Sequence, residues 1–492
     1  MSQLAASCLV FFTSAAVLVF EILAGRLLAP YVGVTLETFT GIIGVVLAGI
    51  AVGTWYGGRL ADNHDPRRLL GPMLVLGGAL SIASLPIIRL FGGVGLGSGP
   101  LAIVFLSTVG FFLPAAVLSA VNPTVIKLQL ADLDETGAVV GRLSAVSTFG
   151  ALFGTFITGF LLVAALPTTP IIFGVGGVLV GWGVVVWYRL PRDLQTRAVV
   201  GAATVLALAT GALGLAFPSP CQVESAYFCA SVTVDPERSS GRLLTLDTLR
   251  HSYVDLEDPT HLEFTYAQAL SDVLSTLGDP GEPLDVLHIG GGGFSLPMYL
   301  EATRPGTFSR VLELDPVMVE LAEDDLGLVL SEDLQARTGD ARLNILEEAS
   351  GRYDLVIGDA FGGQAVPWHL TTRELVEEVE RVLTDEGTYA INLIDYGPLG
   401  FARAEAATIR DVFEHVAVIA PPERIAGREG GNFVMVGSNA PIDVEAIQRR
   451  AEEREDDDIV VGDDAGLDEF IDGARVLTDD FAPVDQLLTP LS

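Results

Sequence analysis

The sequence predicts a two-part chain: a multi-span α-helical membrane domain, then an α/β doubly wound domain entered through a small β region. Three observations carry this. The first 217 residues hold most of the apolar content, with only ten basic and eight acidic side chains. From about residue 281, short Val/Ile/Leu-rich runs alternate with helix-like stretches, the rhythm of strands and crossover helices. Between them, Asp285 to Ser295 reads Asp-Val-Leu-His-Ile-Gly-Gly-Gly-Gly-Phe-Ser, a short buried strand running into four glycines and a helix start. Such a turn lets backbone approach a ligand while the helix amides point at it. The expected parts are a seven-span domain over 1–217, a small β region over 218–280, a Rossmann-like nucleoside-binding domain over 281–440 and an acidic C-terminal extension over 441–492.

Seven apolar stretches of spanning length fall near residues 7–28, 38–58, 69–91, 100–121, 142–165, 169–188 and 198–217. Gly49, Gly53 and Gly57 recur every four residues in the second, and Gly150 and Gly154 do so in the fifth, which predicts flat faces for close helix packing. Glu21 and Arg26 in the first span are expected to make structural contacts between helices. Asn122-Pro123 is expected to break the fourth helix. Positive charge gathers in alternate loops, at Arg59, Arg67 and Arg68, at Lys127 and Arg142, and at Arg189, Arg192 and Arg197. Those loops should be cytoplasmic, which puts the soluble half outside the cell membrane.

The whole chain has a formal net charge of −34, and since residues 1–217 come to +2, the remainder carries −36. So acidic a soluble half excludes a nucleic-acid partner. Lys127 is the single lysine, and lysine depletion beside dense carboxylates suggests adaptation to high salt, where the repulsion is screened. Of three cysteines, Cys8 lies in an apolar run and is read as packing. Cys221 and Cys229 suit neither a zinc motif nor a redox pair, and either a disulfide or two free thiols fits them. The six histidines show no ligand spacing, so no metal is expected.

In the soluble half, runs over 230–234 and 242–246 read as a small antiparallel region. Strands are then expected over 286–289, 310–314, 336–338, 353–358 and 389–394, with helices over 295–303, 317–326, 372–383 and 402–413. Strands over 416–419 and 432–436 have only a loop between them and suggest an antiparallel hairpin at the sheet edge. That ending is the habit of nucleoside-dependent, methyltransferase-like transferases rather than dehydrogenases. Gly290, Gly291, Gly292 and Gly293 form the cradle. Ser295 stands where a dinucleotide motif has its third glycine, which favours a nucleoside without pyrophosphate. Glu313 ends the second strand, Asp340 follows the third and Asp359 ends the fourth, so three acids should face one crevice. Glu313 could take ribose hydroxyls, Asp340 the adenine amino group and Asp359 a cationic substrate. For each the plain alternative is a solvated loop carboxylate.

At these residues the chain resembles the spermidine synthase family, and more closely its membrane-fused branch, in which a multi-span domain precedes an aminopropyltransferase-like domain. The resemblance rests on Glu21 to Tyr31 and Gly57 to Asp62 in the membrane half. In the soluble half it rests on Glu224 to Tyr227, His251 to Leu256, Gly290 to Gly293, Glu313 to Asp315, Gly339 to Ala341, Asp359 to Phe361 and Leu477 to Asp485. It implies a class I methyltransferase-like fold with no permanently bound cofactor. The co-substrate is then decarboxylated S-adenosylmethionine, or S-adenosylmethionine itself, and an amine attacks the methylene carbon beside sulfur to release 5'-methylthioadenosine. The resemblance makes Asp359 the catalytic acid and sets Tyr227 and Tyr266 along the amine site. The chain departs from the family at four places: Gly293 and Gly362 replace acids, Phe294 stands where the motif has a glycine, and His251 stands where a glutamine is expected.

The leading expectation is therefore a membrane-bound transferase moving an aminopropyl group from a sulfonium nucleoside to a small-molecule amine, with the lipid bilayer as its surroundings. A homo-oligomer is compatible with the sequence. Competing readings are an S-adenosylmethionine-dependent methyltransferase on the same fold and a non-enzymatic nucleoside or polyamine transporter or sensor. The charge rule and Cys221/Cys229 favour a soluble half outside, whereas the cytoplasmic origin of sulfonium nucleosides favours the inside.

Overall fold

The computed structural model describes residues 1–130, 136–189, 194–363 and 366–488; Arg192 lies outside them. Two compact units form. The first comprises Met1–Ser231 and Leu246–Leu249, the second Val232–Thr245 and Arg250–Ser492.

In the first unit, seven helical segments are long and apolar enough to cross a membrane: Gln3–Val32, Leu36–Asn63, Pro66–Gly92, Pro100–Gln129, Thr136–Ala165, Thr168–Arg189 and Thr196–Ala216. Each contains one of the seven expected apolar stretches or nearly all of it. The glycine faces pack as expected. A Cβ on Gly53 would overlap the backbone of Ala116, and one on Gly150 or Gly154 that of Phe11 or Ala15. These helices meet backbone to backbone, a gain available only where no side chain intervenes.

Two expectations for this unit are corrected. The helical run does not stop at Asn122-Pro123 but continues from Val121 to Gln129 after a local turn at Ala120. Pro123 falls in the first turn of that segment, where its missing N–H leaves no bond unmade. Arg26 does not bridge two helices. Its guanidinium donates to the carbonyls of Ser225 and Ala226 and lies 3.5 Å from Glu224, pinning the chain that leaves the last span. Glu224 in turn accepts from the backbone amide of Thr168 at 2.9 Å. Cys221 and Cys229 form a disulfide, and Cys8 is free.

A four-stranded sheet runs in the order β1 (Val223–Glu224), β2 (Cys229–Val234), β3 (Gly241–Leu246) and β4 (Leu249–Asp255). The large sheet contains β5 (Asp285–Ile289), β6 (Phe308–Glu313), β7 (Leu334–Thr338), β8 (Tyr353–Gly358), β9 (Leu383–Asp395), β10 (His415–Ala420), β11 (Gly431–Ser438) and β12 (Ile459–Val461). Its order is β12-β10-β11-β9-β8-β5-β6-β7. The five strands from β7 to β9 are mutually parallel, while β11 is antiparallel to both β9 and β10. This is the doubly wound fold that the alternation of strands and helices predicts.

Both faces of the sheet are covered, which is why its strands read as continuous apolar runs. Leu287 and Ile289 of β5 join one core layer with Val376 and Val379 of the helix Arg373–Val382. Val286 joins the opposite layer with Leu270 and Val273 of the helix Thr265–Ser275. The expected edge hairpin is corrected: β10 and β11 do pair antiparallel, but β11 lies inside the sheet and β12 forms the edge. After the crossover helix Gly400–Val412 the chain skips one sheet position, and the hairpin returns to fill it. The acidic tail is thus folded onto the sheet, with Leu467, Phe470 and Ile471 buried in the same core as Phe433.

The tight glycine face gives a direct test. Gly53→Leu forces a side chain into the Ala116 backbone and should lower stability by about 3 kcal/mol or prevent assembly, read as a fall in the thermal midpoint of the purified protein, whereas Gly44→Leu, which meets open space, should leave it unchanged.

Candidate active site

The site forms where the strand order reverses. The chain runs from β5 outward to β6 and β7, then returns to place β8 on the other side of β5, and ligands bind in the crevice at such a switch point. Gly290 follows β5 at φ +97°, and a Cβ there would press on the carbonyl of Asp359. Only glycine permits that approach. The amide of Asp359 donates to the carbonyl of Ile289 at 2.9 Å, tying the two strand ends together.

Glu313 closes the glycine loop. One of its carboxylate oxygens accepts from the amides of Gly291 at 2.8 Å and Gly292 at 3.2 Å, and the other accepts from Asp315 at 2.9 Å. Burial raises its pKa, and the three amides oppose that rise. The loop's donors therefore already face a carboxylate, which leaves them unsuited to a pyrophosphate and supports the reading of a nucleoside ligand. Glu313 retains lone pairs for hydroxyls. Asp340 stands next to it, since the amide of Gly339 donates to the Glu313 carbonyl at 2.9 Å. Its carboxylate caps the helix Ala341–Asn344 through the amide of Arg342 at 2.8 Å, is partly exposed and lies 3.7 Å from His369 Nε2.

Asp359, at the end of β8 beside Gly290, lines a small recess together with His251, Tyr266 and Ser295. Tyr266 Oη donates to one oxygen at 3.2 Å and Asn392 Nδ2 to the other at 2.9 Å. Asn432 Nδ2 donates to Asn392 Oδ1 at 2.9 Å, which sets the orientation of that amide. Burial pushes the Asp359 carboxyl up to about 6 against the lowering effect of these two donors. Burial and the neighbouring carboxylate likewise hold the Tyr266 phenol well above its usual range. A carboxylate near neutrality, bonded only to neutral donors, can take a proton at physiological pH.

His251 lies over the loop, its ring 3.1 Å from where a Cβ on Gly292 would stand. Its Nδ1 is buried without a hydrogen-bond partner, and burial holds its pKa down to about 4, so the imidazole is neutral. At Gly293 a Cβ would fall 2.8 Å from the Cβ of Ser252. Of the residues singled out from sequence, the second unit gathers Gly290 to Gly293, Glu313, Asp340, Asp359, Tyr266 and His251. Tyr227 belongs to the first unit, where it is half-exposed.

Sequence reasoning missed Asn392 and Asn432, and it gave no packing role to Ser252 or Phe294. The asparagines sit inside apolar strand runs, and a polar residue buried within such a run was the available signal. Phe294, at φ +57° and fully buried, caps the helix Ser295–Thr303 and packs its ring beneath Gly291 and Val311. A bulky residue in that conformation stores roughly 1–3 kcal/mol of strain.

No protein-family model matches the chain. It is 29% identical over 247 residues to a polyamine aminopropyltransferase of Vibrio vulnificus, covering 47% of this chain and 79% of that one. With the polyamine aminopropyltransferase of Chromobacterium violaceum it shares 26% over 208 residues, 42% of this chain and 76% of that one. A bovine eEF1A lysine and N-terminal methyltransferase is 27% identical over 170 residues, 32% of this chain and 24% of that one. Among solved structures, a probable spermidine synthase from Corynebacterium glutamicum superimposes with a TM-score of 0.49 at 26% identity, covering 54% of this chain and 96% of that one. In sequence the second half of the chain is thus similar to the polyamine aminopropyltransferases.

Proposed function

We propose that the chain is a membrane-bound aminopropyltransferase that uses decarboxylated S-adenosylmethionine and a small-molecule amine and releases 5'-methylthioadenosine. The observation that carries this reading is Asp359, a carboxylate poised near neutrality at the switch point beside the glycine loop and bonded only to neutral donors. Similarity to the two bacterial aminopropyltransferases supports it.

In this reading Glu313 takes the ribose hydroxyls and Asp340 the adenine amino group, while the glycines let the sulfonium nucleoside lie against the backbone. Asp359 holds the amine and accepts its proton, because only the free amine has the lone pair for attack. The new C–N bond forms at the methylene carbon beside sulfur. The C–S bond breaks with its electron pair going to sulfur, so the sulfonium charge is discharged and a neutral thioether leaves. Tyr266 and Asn392 fix the carboxylate without neutralising it. The disulfide within Cys221–Cys229 and the charge of alternate loops both support a soluble half outside the cytoplasm.

Incubating the purified protein with decarboxylated S-adenosylmethionine and a panel of amines should release 5'-methylthioadenosine. Its absence with every acceptor, or S-adenosylhomocysteine from S-adenosylmethionine instead, overturns the reading. Asp359→Asn should lower kcat by about 100-fold or more. Its thermal midpoint above pH 6 should not fall, because the native carboxyl is raised and ionises at a cost to the folded state. For the same reason wild-type turnover should drop as pH falls through about 6, where Asp359 becomes protonated. For the membrane side, a Glu320→Cys variant, at an exposed position, should react with a membrane-impermeant maleimide on intact cells; protection until lysis assigns the soluble half to the cytoplasm.

A further inference from the structure

We infer that the carboxylates of Asp456, Asp457 and Asp458, on the loop between the helix Val444–Glu453 and β12, form a binding site for one hard divalent cation of the calcium type. The site stands apart from Asp359 and does not depend on the transferase reading. One oxygen from each of the three side chains lies within 4.8 Å of the other two. Oxygens on opposite sides of a bound calcium stand about 4.6–5.2 Å apart, so all three can meet one ion as they are placed.

Three neighbouring acids on a loop would ordinarily be solvated surface. What asks for a ligand is Asp458, which is only 6% exposed and whose carboxylate meets no hydrogen-bond donor and no ion-pair partner among the described residues. Its backbone is held in place: Gln448 Nε2 donates to its carbonyl at 3.1 Å, and Gln448 Oε1 accepts from the amide of Val460 at 3.0 Å. The nearby cations are engaged elsewhere. Arg454 gives Nη2 to Asp272 at 2.5 Å and Nη1 to Gln268 at 3.1 Å, and it stands 3.7 Å from Asp456. Arg424 acts on Asp458 only through space, with its Nη1 donating to the Asn432 carbonyl at 3.4 Å. Asp272, buried on the helix Thr265–Ser275, adds a fourth carboxylate whose charge is felt at both Asp456 and Asp458. Four carboxylates against two guanidinium groups leave a net charge of −2, which one divalent ion neutralises. A buried carboxylate without a partner is costly, and a cation removes that cost where no donor is at hand. The ligand atoms are all carboxylate oxygens, a set that suits calcium or magnesium and not zinc or copper. The lack of histidine spacing in the sequence bears on the latter pair alone. Bound here, the ion would fix the start of the edge strand β12 and so the acidic tail that follows it.

The full-length protein in nanodiscs of zwitterionic lipid, stripped with a chelator and held at one sodium chloride concentration so that screening is constant, can be titrated with calcium chloride by calorimetry. One saturable site per chain is expected, with a calcium-dependent rise in the thermal midpoint, because the site exists only in the folded chain. Asp458→Asn and Asp457→Asn should each weaken calcium binding by about tenfold or more. Glu469→Gln, at an exposed position on the helix Asp464–Ile471, should leave it unchanged. Asp457 is exposed, so its variant carries the test even where Asp458→Asn does not fold. No saturable binding to the wild type, or wild-type affinity in Asp457→Asn, overturns the inference. So does an equal loss in Glu469→Gln, which assigns the binding to diffuse attraction by the acidic surface.

Discussion

The soluble half depends most on one arrangement, the carboxylate of Glu313 drawn under the glycine loop by three backbone amides. Glycine loops at strand ends commonly spend their amides on a phosphate. Here Gly291 and Gly292 spend theirs on a buried side chain from the neighbouring strand. The bonds hold the ends of β5 and β6 in register and stiffen a segment that four glycines would otherwise leave loose. They also make the loop a poor host for a phosphate. A pyrophosphate would meet a carboxylate in place of free donors, whereas a ribose hydroxyl would find an acceptor already oriented.

The second constraint is electrostatic and sits opposite. Desolvation and hydrogen bonding pull Asp359 in contrary directions, and desolvation wins. Had an arginine stood where Asn392 is, the carboxyl would be held well below neutrality and would be a poor base. The Asn432 to Asn392 to Asp359 chain delivers orientation through neutral amides and leaves the basicity intact. Asn432 opens β11, the strand the hairpin inserts beside β9, so the departure of that hairpin from the edge position has a consequence for chemistry. Were β11 at the edge, its first residues would not lie beside Asn392.

Much of this was legible in the chain before folding. The seven spans and the parallel strands follow from apolar runs, and helix contacts at Gly53 and Gly150 follow from a repeat of four. The acids at strand ends were legible because doubly wound sheets bind ligands there. What was not legible depends on partners distant in sequence. Nothing near Asn392 marks it as bonded to Asp359, 33 residues away. Arg26 reads as a membrane charge in need of another helix, yet its partners lie some 200 residues on. The tail over 441–492 reads as an acidic appendage because its few apolar residues, Leu467 and Phe470 among them, are spaced by carboxylates and show their purpose only against the sheet.

Gly291, Gly293, Phe294 and His251 are coupled through packing. Phe294 holds a left-handed backbone that a glycine would adopt freely, at a cost in strain. In return its ring fills the space under Gly291 against Val311. With the loop so supported from below, Gly293 lies directly on Ser252, and the room for an acidic side chain is gone. His251 then covers Gly292 from above, uncharged because it is buried. A side chain placed at Gly293 would therefore clash with Ser252 before it reached the recess. Room there requires the loop to sink, which needs Phe294 to give way, and so the bare backbone at Gly293 and the strained phenylalanine are linked through packing.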